Sequence, residues 1–134
     1  LKALADRLAE SFAEVLHAEV RNRLWGYAEE HFSNAELIRE KYQGIRPAPG
    51  YPACPDHSLK PILFDMLGGA PGGVALTESF AMWPASAVSG FYFGHRDSDY
   101  FGVARIGRDQ LTDYSARRRI PVEQAEQWLR PNLD

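Results

Sequence analysis

The apolar positions at the start of the chain recur at steps of three and four. They begin at Leu4 and end at Leu24, with Leu8, Phe12, Val15, Leu16 and Val20 between them. This spacing places them in one stripe on a helix, with charged residues on the other faces. The pattern predicts a helix of about 20 residues over 4–24.

Two shorter helices are predicted next. Ser33 and Glu36 have the spacing of a capping box, which favours a helix over about 34–42 that ends before Gly44. Ser58 is a candidate N-cap for a helix over about 59–67. That helix is expected to end in the glycine-rich stretch 68–73.

The period then changes from 3.6 to 2, which indicates strands. Three antiparallel strands in a meander are predicted over 76–82, 88–93 and 100–106, with turns at 83–86 and 95–99. Helices are predicted over 108–118 and from Pro121 to about 129, with Pro131 as a terminator. The fold class is therefore α+β, an antiparallel β-meander flanked by helices, in a single domain over 1–134.

Composition narrows the possible partners. The net charge is −3 and the basic residues are scattered, which disfavours nucleic acid. A single cysteine excludes an internal disulfide, and no apolar run reaches the roughly 20 residues that span a bilayer. We expect a soluble, cytoplasmic protein without a membrane partner. Because the chain begins at Leu1 within a helical pattern, we also expect it to be part of something longer.

The segment 46–57 contains four prolines in twelve residues. Proline fixes its own φ and pushes the preceding residue towards extended geometry, so this segment is predicted to be a stiff, irregular loop. We expect its backbone groups to be free of any ladder and available to a small molecule.

Arg46 begins this loop, and its planar guanidinium suits a carboxylate or phosphate. Pairing with Glu40 is the alternative. Tyr100 and Phe101 are adjacent, so only one of them can point into the core if the segment is a strand. The other is free to stack on a base or to lie over a cation, although ordinary packing under the neighbouring helices is the default interpretation.

Cys54, Asp56 and His57 invite a metal or thiol interpretation. Cys-x-x-His spacing supplies only half of a zinc site, and His17, His31 and His95 stand alone, so no metal site is predicted. No catalytic residue is predicted either. We expect Asp56 and His57 to hold the loop through backbone hydrogen bonds.

Asp6, Glu10 and Glu14 form an acidic stripe at spacings of four on the first predicted helix. The default interpretation is a solvated face. A docking surface for a cationic partner is the alternative.

These residues resemble a known family. The segment 46–57, RPAPGYPACPDH, together with LTESFAMWP at 76–84, VSG at 88–90 and the C-terminal WL and PNL, is similar to the C-terminal activation domain of cobalamin-dependent methionine synthase. The resemblance covers nearly the whole chain in the same order. It implies that this chain is the C-terminal portion of such a domain.

The resemblance implies an S-adenosylmethionine site that supports reductive reactivation of cob(II)alamin. Cobalamin itself belongs to a neighbouring module of the same polypeptide, and the electron comes from a flavodoxin-type donor. The implied ligand contacts are the Arg46 fork for the methionyl carboxylate, the backbone near Ala48, Gly50 and Tyr51, the aromatic pair Tyr100 and Phe101, and Glu40. Asp6 and Glu10 fall on acidic positions implied in docking to the cobalamin module. The fragment alone is not expected to be catalytically competent.

The sequence departs from the family pattern in three places. The family's ligand-binding aspartate lies upstream of Leu1, the stretch 65–75 is shorter and richer in glycine, and Phe101 replaces an expected tyrosine. Two alternatives therefore stay open. One is a stand-alone small-molecule-binding or docking domain without turnover, and the other is a thiol enzyme that uses Cys54 and His57.

Overall fold

The computed structural model describes residues 1–134, apart from the side chain of residue 71. The α-helices are α1 Lys2–Glu19, α2 Asn34–Ile38, α3 Lys60–Met66, α4 Arg108–Arg118 and α5 Val122–Leu129, and the strands are β1 Ala75–Leu76 and β2 Met82–Trp83. A π-helix over Val20–Leu24 continues α1, and short 3₁₀ turns lie at His57–Leu59, Pro71–Gly73 and Arg130–Asn132. The predicted α+β class is confirmed. No helix in the described part of the chain is both long and apolar enough to span a bilayer.

Helix α1 forms where the apolar period predicts it, but its stripe does not enter the core. Leu8 and Phe12 are 62% and 66% exposed. The buried positions are instead His17 in α1 and Arg21 in the π-helix that continues it, at 0% and 1% exposed. Tyr42 covers them, with its ring edge-on to His17 at 4.9 Å and 4.3 Å from the Arg21 guanidinium carbon. Contact with the Tyr42 ring therefore buries the polar face of the helix instead of its apolar stripe.

Helix α2 begins at the predicted capping box. The Ser33 amide donates to Glu36 Oε2 at 3.0 Å, and the Ser33 hydroxyl donates to the same oxygen at 2.8 Å. The helix ends at Ile38, earlier than predicted, because Glu40 takes a left-handed φ of 52°. The Lys41 amide then donates back to the Glu36 carbonyl at 3.2 Å and closes the turn.

The cap before α3 is Asp56 and not Ser58, which corrects the prediction. Asp56 Oδ1 accepts from the Ser58 amide at 2.7 Å, and this bond begins the 3₁₀ turn that leads into α3. Pro61 lies in the first turn of α3, where a missing amide hydrogen costs nothing. The helix ends at Met66, close to the predicted boundary.

The first predicted strand, 76–82, is wrong as a single strand and is a tight hairpin. Leu76 pairs with Met82, and Ala75 pairs with Trp83. The reversal arises locally, because the Thr77 hydroxyl accepts from the Ala81 amide at 3.0 Å and Phe80 adopts a φ of 61°. A polar Thr-x-Ser sequence competes for backbone groups in this way and favours a turn.

The predicted strands 88–93 and 100–106 do not pair with each other. Phe93 forms an antiparallel bridge with Ile45, and Ile106 forms a parallel bridge with Leu133. The amides of Phe91 and Val103 donate to the carbonyls of Pro47 and Pro52, at 2.9 and 2.7 Å. Proline has no amide hydrogen, so it cannot donate a hydrogen bond back to the partner segment. Each pairing therefore stops after one or two bonds, and no ladder forms.

The C-terminal helices hold the main apolar core, and both begin where predicted. Leu111, Ala125 and Leu129 are almost fully buried, at 1%, 0% and 3% exposed. Ile106, Tyr114, Ile120, Val122 and Leu133 pack around them. Pro121 stands at the N-cap of α5, which fits its fixed φ.

Candidate functional site

Arg46 lies in a short extended segment at the start of the proline-rich loop. The amide and carbonyl of Ile45 exchange bonds with Phe93, both at 3.0 Å. Successive residues of extended backbone point to opposite sides. Ile45 and Pro47 therefore line a cavity, while the Arg46 side chain reaches the other way, towards α1.

The guanidinium of Arg46 is already held by protein groups. Nη2 donates to Glu14 Oε2 at 2.6 Å, and Nη1 donates to His17 Nδ1 at 3.0 Å and to the Tyr42 hydroxyl at 3.2 Å. The predicted alternative partner, Glu40, is exposed. Glu14 is thus an ion-pair partner, and its placement on a solvated face is wrong.

The histidine beside Arg46 is neutral. Burial, reinforced by the charges of Arg21 and Arg46, lowers the pKa of His17 to about 3. Its Nδ1 accepts from Arg46, so its proton is on Nε2, which lies 3.4 Å from the Tyr27 hydroxyl. Tyr27 in turn donates to the Gln43 carbonyl at 3.3 Å. This chain of bonds fixes the arginine without adding charge.

The aromatic pair Tyr100 and Phe101 divides between two sides, as predicted for adjacent residues. The Tyr100 hydroxyl accepts from the Arg46 amide at 2.9 Å. Phe101 is 60% exposed and lines the cavity on the other side of the segment. Tyr100 therefore contacts the arginine segment directly, whereas Phe101 belongs to the cavity wall.

The cavity measures about 620 Å³ and is mostly apolar. Its wall combines aromatic, aliphatic and proline residues with an acidic turn, namely Ile45, Pro47, Ala53, Cys54, Leu59, Phe91, Phe93, Phe101 and residues 97–99. The Arg46 side chain is not among the lining residues. The cavity and the arginine thus lie on the two faces of one extended segment.

The loop backbone is less free than the proline content predicts. The Gly50 amide donates to the Cys54 carbonyl at 2.7 Å, and the Tyr51 amide donates to the Ala48 carbonyl at 3.1 Å. The Cys54 amide donates to Tyr51 at 2.8 Å. The expectation of unused backbone groups is therefore wrong for these amides, although the Tyr51 side chain is 61% exposed.

Asp56 holds the loop, as predicted, and it also binds helix α4. Its Oδ2 accepts from the Ser58 and Tyr114 hydroxyls and from Arg118 Nη1, the last at 2.8 Å. The Arg118 guanidinium carbon also lies 5.6 Å from the Trp128 ring centre. Sequence reasoning missed Tyr114 and Arg118. Their i, i+4 spacing is a signal that they share a helix face, but it does not identify Asp56 as the partner.

The remaining predicted residues lie apart from the arginine. Asp6 is paired with Lys2 at 3.7 Å on α1, and Glu10 is exposed on the same helix. Burial and the charge of Asp56 raise the pKa of the Cys54 thiol, which is the opposite of what a nucleophile needs. In the described part of the chain, no group of three or more His, Cys, Asp or Glu side chains could hold a metal ion.

Comparison with known proteins agrees with the sequence resemblance. Residues 1–119 match the family model described as "Vitamin B12 dependent methionine synthase, activation domain". The chain belongs to this family. A crystal structure of the MetH reactivation domain bound to AdoHcy matches with a TM-score of 0.94 and 60% sequence identity. The match covers 98% of this chain and 41% of that one, so this member spans less than half of the solved chain.

Proposed function

We propose that this chain is the S-adenosylmethionine-binding part of a methionine synthase activation domain. The observation that carries the proposal is the 60% identity to a reactivation domain bound to AdoHcy, over 98% of this chain. AdoHcy is the demethylated form of the proposed ligand. In this role the chain supports reductive remethylation of cob(II)alamin and carries out no chemistry alone.

The side chains around Arg46 fit the amino-acid end of this ligand. Arg46 carries the charged donors that suit a carboxylate, and one of them, Nη2, is already bonded to the internal carboxylate of Glu14. A ligand carboxylate can exchange with Glu14 on the same guanidinium, because the two groups have the same charge and geometry. The Arg46 and Glu14 side chains are 26% and 25% exposed, so the pair is open on one side.

The proline-rich loop and the aromatic pair are proposed to hold the adenosyl part and the sulfonium. Ala48, Gly50 and Tyr51 supply a fixed backbone, and an aromatic ring attracts a sulfonium through its electron-rich face. Tyr100 and Phe101 flank this segment on opposite sides. Glu40, exposed after α2, is proposed to lie near the ligand's positive charge.

Cobalamin, held by a neighbouring module, supplies the reacting metal when it is bound. That chemistry would take one electron from a flavodoxin-type donor and the methyl group of S-adenosylmethionine as a methyl cation, and it would release S-adenosylhomocysteine. The residues of this chain bind and orient the ligand, so no general acid or nucleophile is needed. We place the whole protein in the cytoplasm, in methionine biosynthesis.

The apolar stripe of α1 is proposed to pack against further parts of the domain. Leu4, Leu8, Phe12 and Val15 are each more than half exposed, and the solved neighbour is more than twice as long as the matched region. An exposed stripe of this size favours burial. Asp6 and Glu10, on the same helix, are proposed to face the cobalamin module.

Calorimetric titration with S-adenosylmethionine tests the proposal, both on this chain and on a version extended at its N-terminus. Arg46→Ala is expected to weaken binding by roughly 30-fold or more, because it removes charge-assisted bonds to the carboxylate. Arg39→Ala, at an exposed arginine, is the matched control and should leave affinity unchanged. Absence of binding by the extended protein, or equal affinity of Arg46→Ala, contradicts the proposal.

A further inference from the structure

Lys60 is a buried lysine that the proposed site does not include. It lies at the start of α3 and is 3% exposed. Its Nζ donates to His57 Nδ1 at 2.6 Å and to the Phe80 carbonyl at 2.9 Å. A buried ammonium is costly unless it is bonded, so these two acceptors determine where the Lys60 side chain can lie.

This contact fixes the tautomer of His57. An ammonium group can only donate, so His57 Nδ1 must accept and the ring proton must be on Nε2. Burial and the charge of Lys60 both lower the pKa of His57, which favours the neutral ring. The imidazole therefore presents a neutral N–H on the side away from Lys60.

The His57 ring lies directly against the loop backbone. A Cβ atom built on Gly50 would be 2.1 Å from His57 Cε1 and 2.5 Å from Nε2. The His57 side chain is itself exposed to solvent. Its Nε2–H is thus beside the backbone that is proposed to hold the adenosyl part of the ligand.

The loop backbone offers few free donors at this place. The amides of Gly50 and Tyr51 are used within the loop, by the carbonyls of Cys54 and Ala48. Pro49 and Pro52 carry no amide hydrogen at all. A ring nitrogen or ribose oxygen that approaches this stretch of backbone therefore meets few backbone donors.

The geometry points to His57 as a ligand-contacting donor whose Nε2–H binds an acceptor atom of the adenosyl group, with Lys60 as the positioning residue that sets its tautomer. This inference rests on the proposed function, because it takes the ligand to lie along residues 48–51. The prediction that His57 holds the loop through backbone hydrogen bonds is wrong, because its ring bonds to Lys60 and packs against Gly50, and the inference assigns it a role in ligand binding. It also gives the buried Lys60 a role in recognition without contact to the ligand.

The tautomer is tested by ¹⁵N NMR of the His57 ring, which does not depend on any ligand. We expect a protonated Nε2 and an unprotonated Nδ1 in the parent protein. Lys60→Met should remove this preference and give a mixture of both tautomers. A parent protein with the proton on Nδ1, or an unchanged spectrum in Lys60→Met, would overturn the role of Lys60.

The donor role is tested by calorimetry with S-adenosylhomocysteine. His57→Phe should lower affinity about five- to tenfold, and His57→Gln, which keeps an N–H, should retain most of it. Lys60→Met should lower affinity in the parent but not in the His57→Phe background. His31→Phe, at an exposed histidine on another segment, is the control.

Equal affinity of His57→Phe and the parent would overturn the donor role while leaving the proposed function intact. Absence of S-adenosylhomocysteine binding by the parent would overturn the proposed function and the donor role together. In that case the nitrogen signals still decide the tautomer. Thermal denaturation of each variant separates an effect on folding from an effect on binding.

Discussion

Glu14 Oε2 lies 2.6 Å from Arg46 Nη2, so an acidic residue of α1 forms an ion pair with the first residue of the proline-rich loop. The other Glu14 oxygen, Oε1, is buried and has no hydrogen-bond partner among the described residues. The pair therefore joins helix α1 to the loop through one strong bond, and it leaves Glu14 incompletely satisfied. The ligand carboxylate and Glu14 are expected to compete for the same donor.

Glu14→Gln should raise the affinity for S-adenosylmethionine, by about two- to fivefold, because the competing carboxylate is removed. Isothermal titration calorimetry measures this directly. Glu10→Gln, on an exposed turn of the same helix, is the control for lost negative charge. Weaker binding by Glu14→Gln would show that Glu14 supports the ligand instead of competing with it.

Gly50→Ala should destabilise the protein by about 2–4 kcal/mol, because it combines backbone strain with a steric clash. Gly50 has a φ of 99°, and an added Cβ would lie 2.1 Å from His57 Cε1. Urea unfolding measures the change. Gly72→Ala is a matched control, since its φ is 66° and no atom lies within 4 Å of its added Cβ.

The difference between the two glycine variants reports the contact with His57 together with the unequal backbone strain at φ values of 99° and 66°. Combining Gly50→Ala with His57→Ala should recover part of the lost stability. Equal destabilisation by Gly50→Ala and Gly72→Ala would contradict the close packing of His57 on the loop.

Asp56→Asn should lower the free energy of unfolding by about 3 kcal/mol, because the largely buried Arg118 loses its charged partner. The Asp56 and Arg118 side chains are 4% and 17% exposed, and their atoms lie 2.8 Å apart. Asp113→Asn breaks the exposed pair with Arg117 on the same helix and should cost less than about 1 kcal/mol. Similar values for both variants in urea titrations would show that the loop is held by other contacts.

Acidification should destabilise the protein through His17. The pKa of His17 is about 3 in the folded protein, below its ordinary value of 6.5, so the unfolded chain binds a proton that the folded protein excludes. The contribution of His17 to the free energy of unfolding is fully present above pH 6.5. It is lost as the pH falls towards 3, by up to about 1.4 kcal/mol per pH unit. His17→Gln should reduce this slope in urea titrations between pH 7.5 and 4. An identical slope in both proteins would contradict a buried, neutral His17.

The fold could be predicted where local signals are sufficient. Capping by Ser33 and Glu36, the start at Pro121 and the period of α1 all act within a few residues, and each marks an observed helix. The three-stranded meander is wrong because pairing is non-local. The two segments with strand-like sequence donate hydrogen bonds to Pro47 and Pro52 of a distant loop. Because proline has no amide hydrogen, these contacts cannot extend into a ladder.

In the candidate site too, local features could be predicted from the sequence and non-local contacts could not. The sequence predicts an anion clamp at Arg46, which stays a prediction, and the structure brings the Tyr100 hydroxyl to the Arg46 amide across 54 residues. The Glu14 contact could not be predicted, because an acidic stripe on a helix gives no sign of which member faces the protein. Lys60 was missed for a similar reason, since lysine is almost never fully buried and its burial depends on acceptors from His57 and Phe80.

Mapping S-adenosylmethionine on the chain with ¹H–¹⁵N NMR is the sharpest test of the proposed ligand site. We predict saturable shifts at residues 46, 48, 50, 51, 100 and 101 in the extended protein, and the loss of those shifts in Arg46→Ala. Saturable shifts confined to residues 108–129, or no shifts at any ligand concentration, would contradict it.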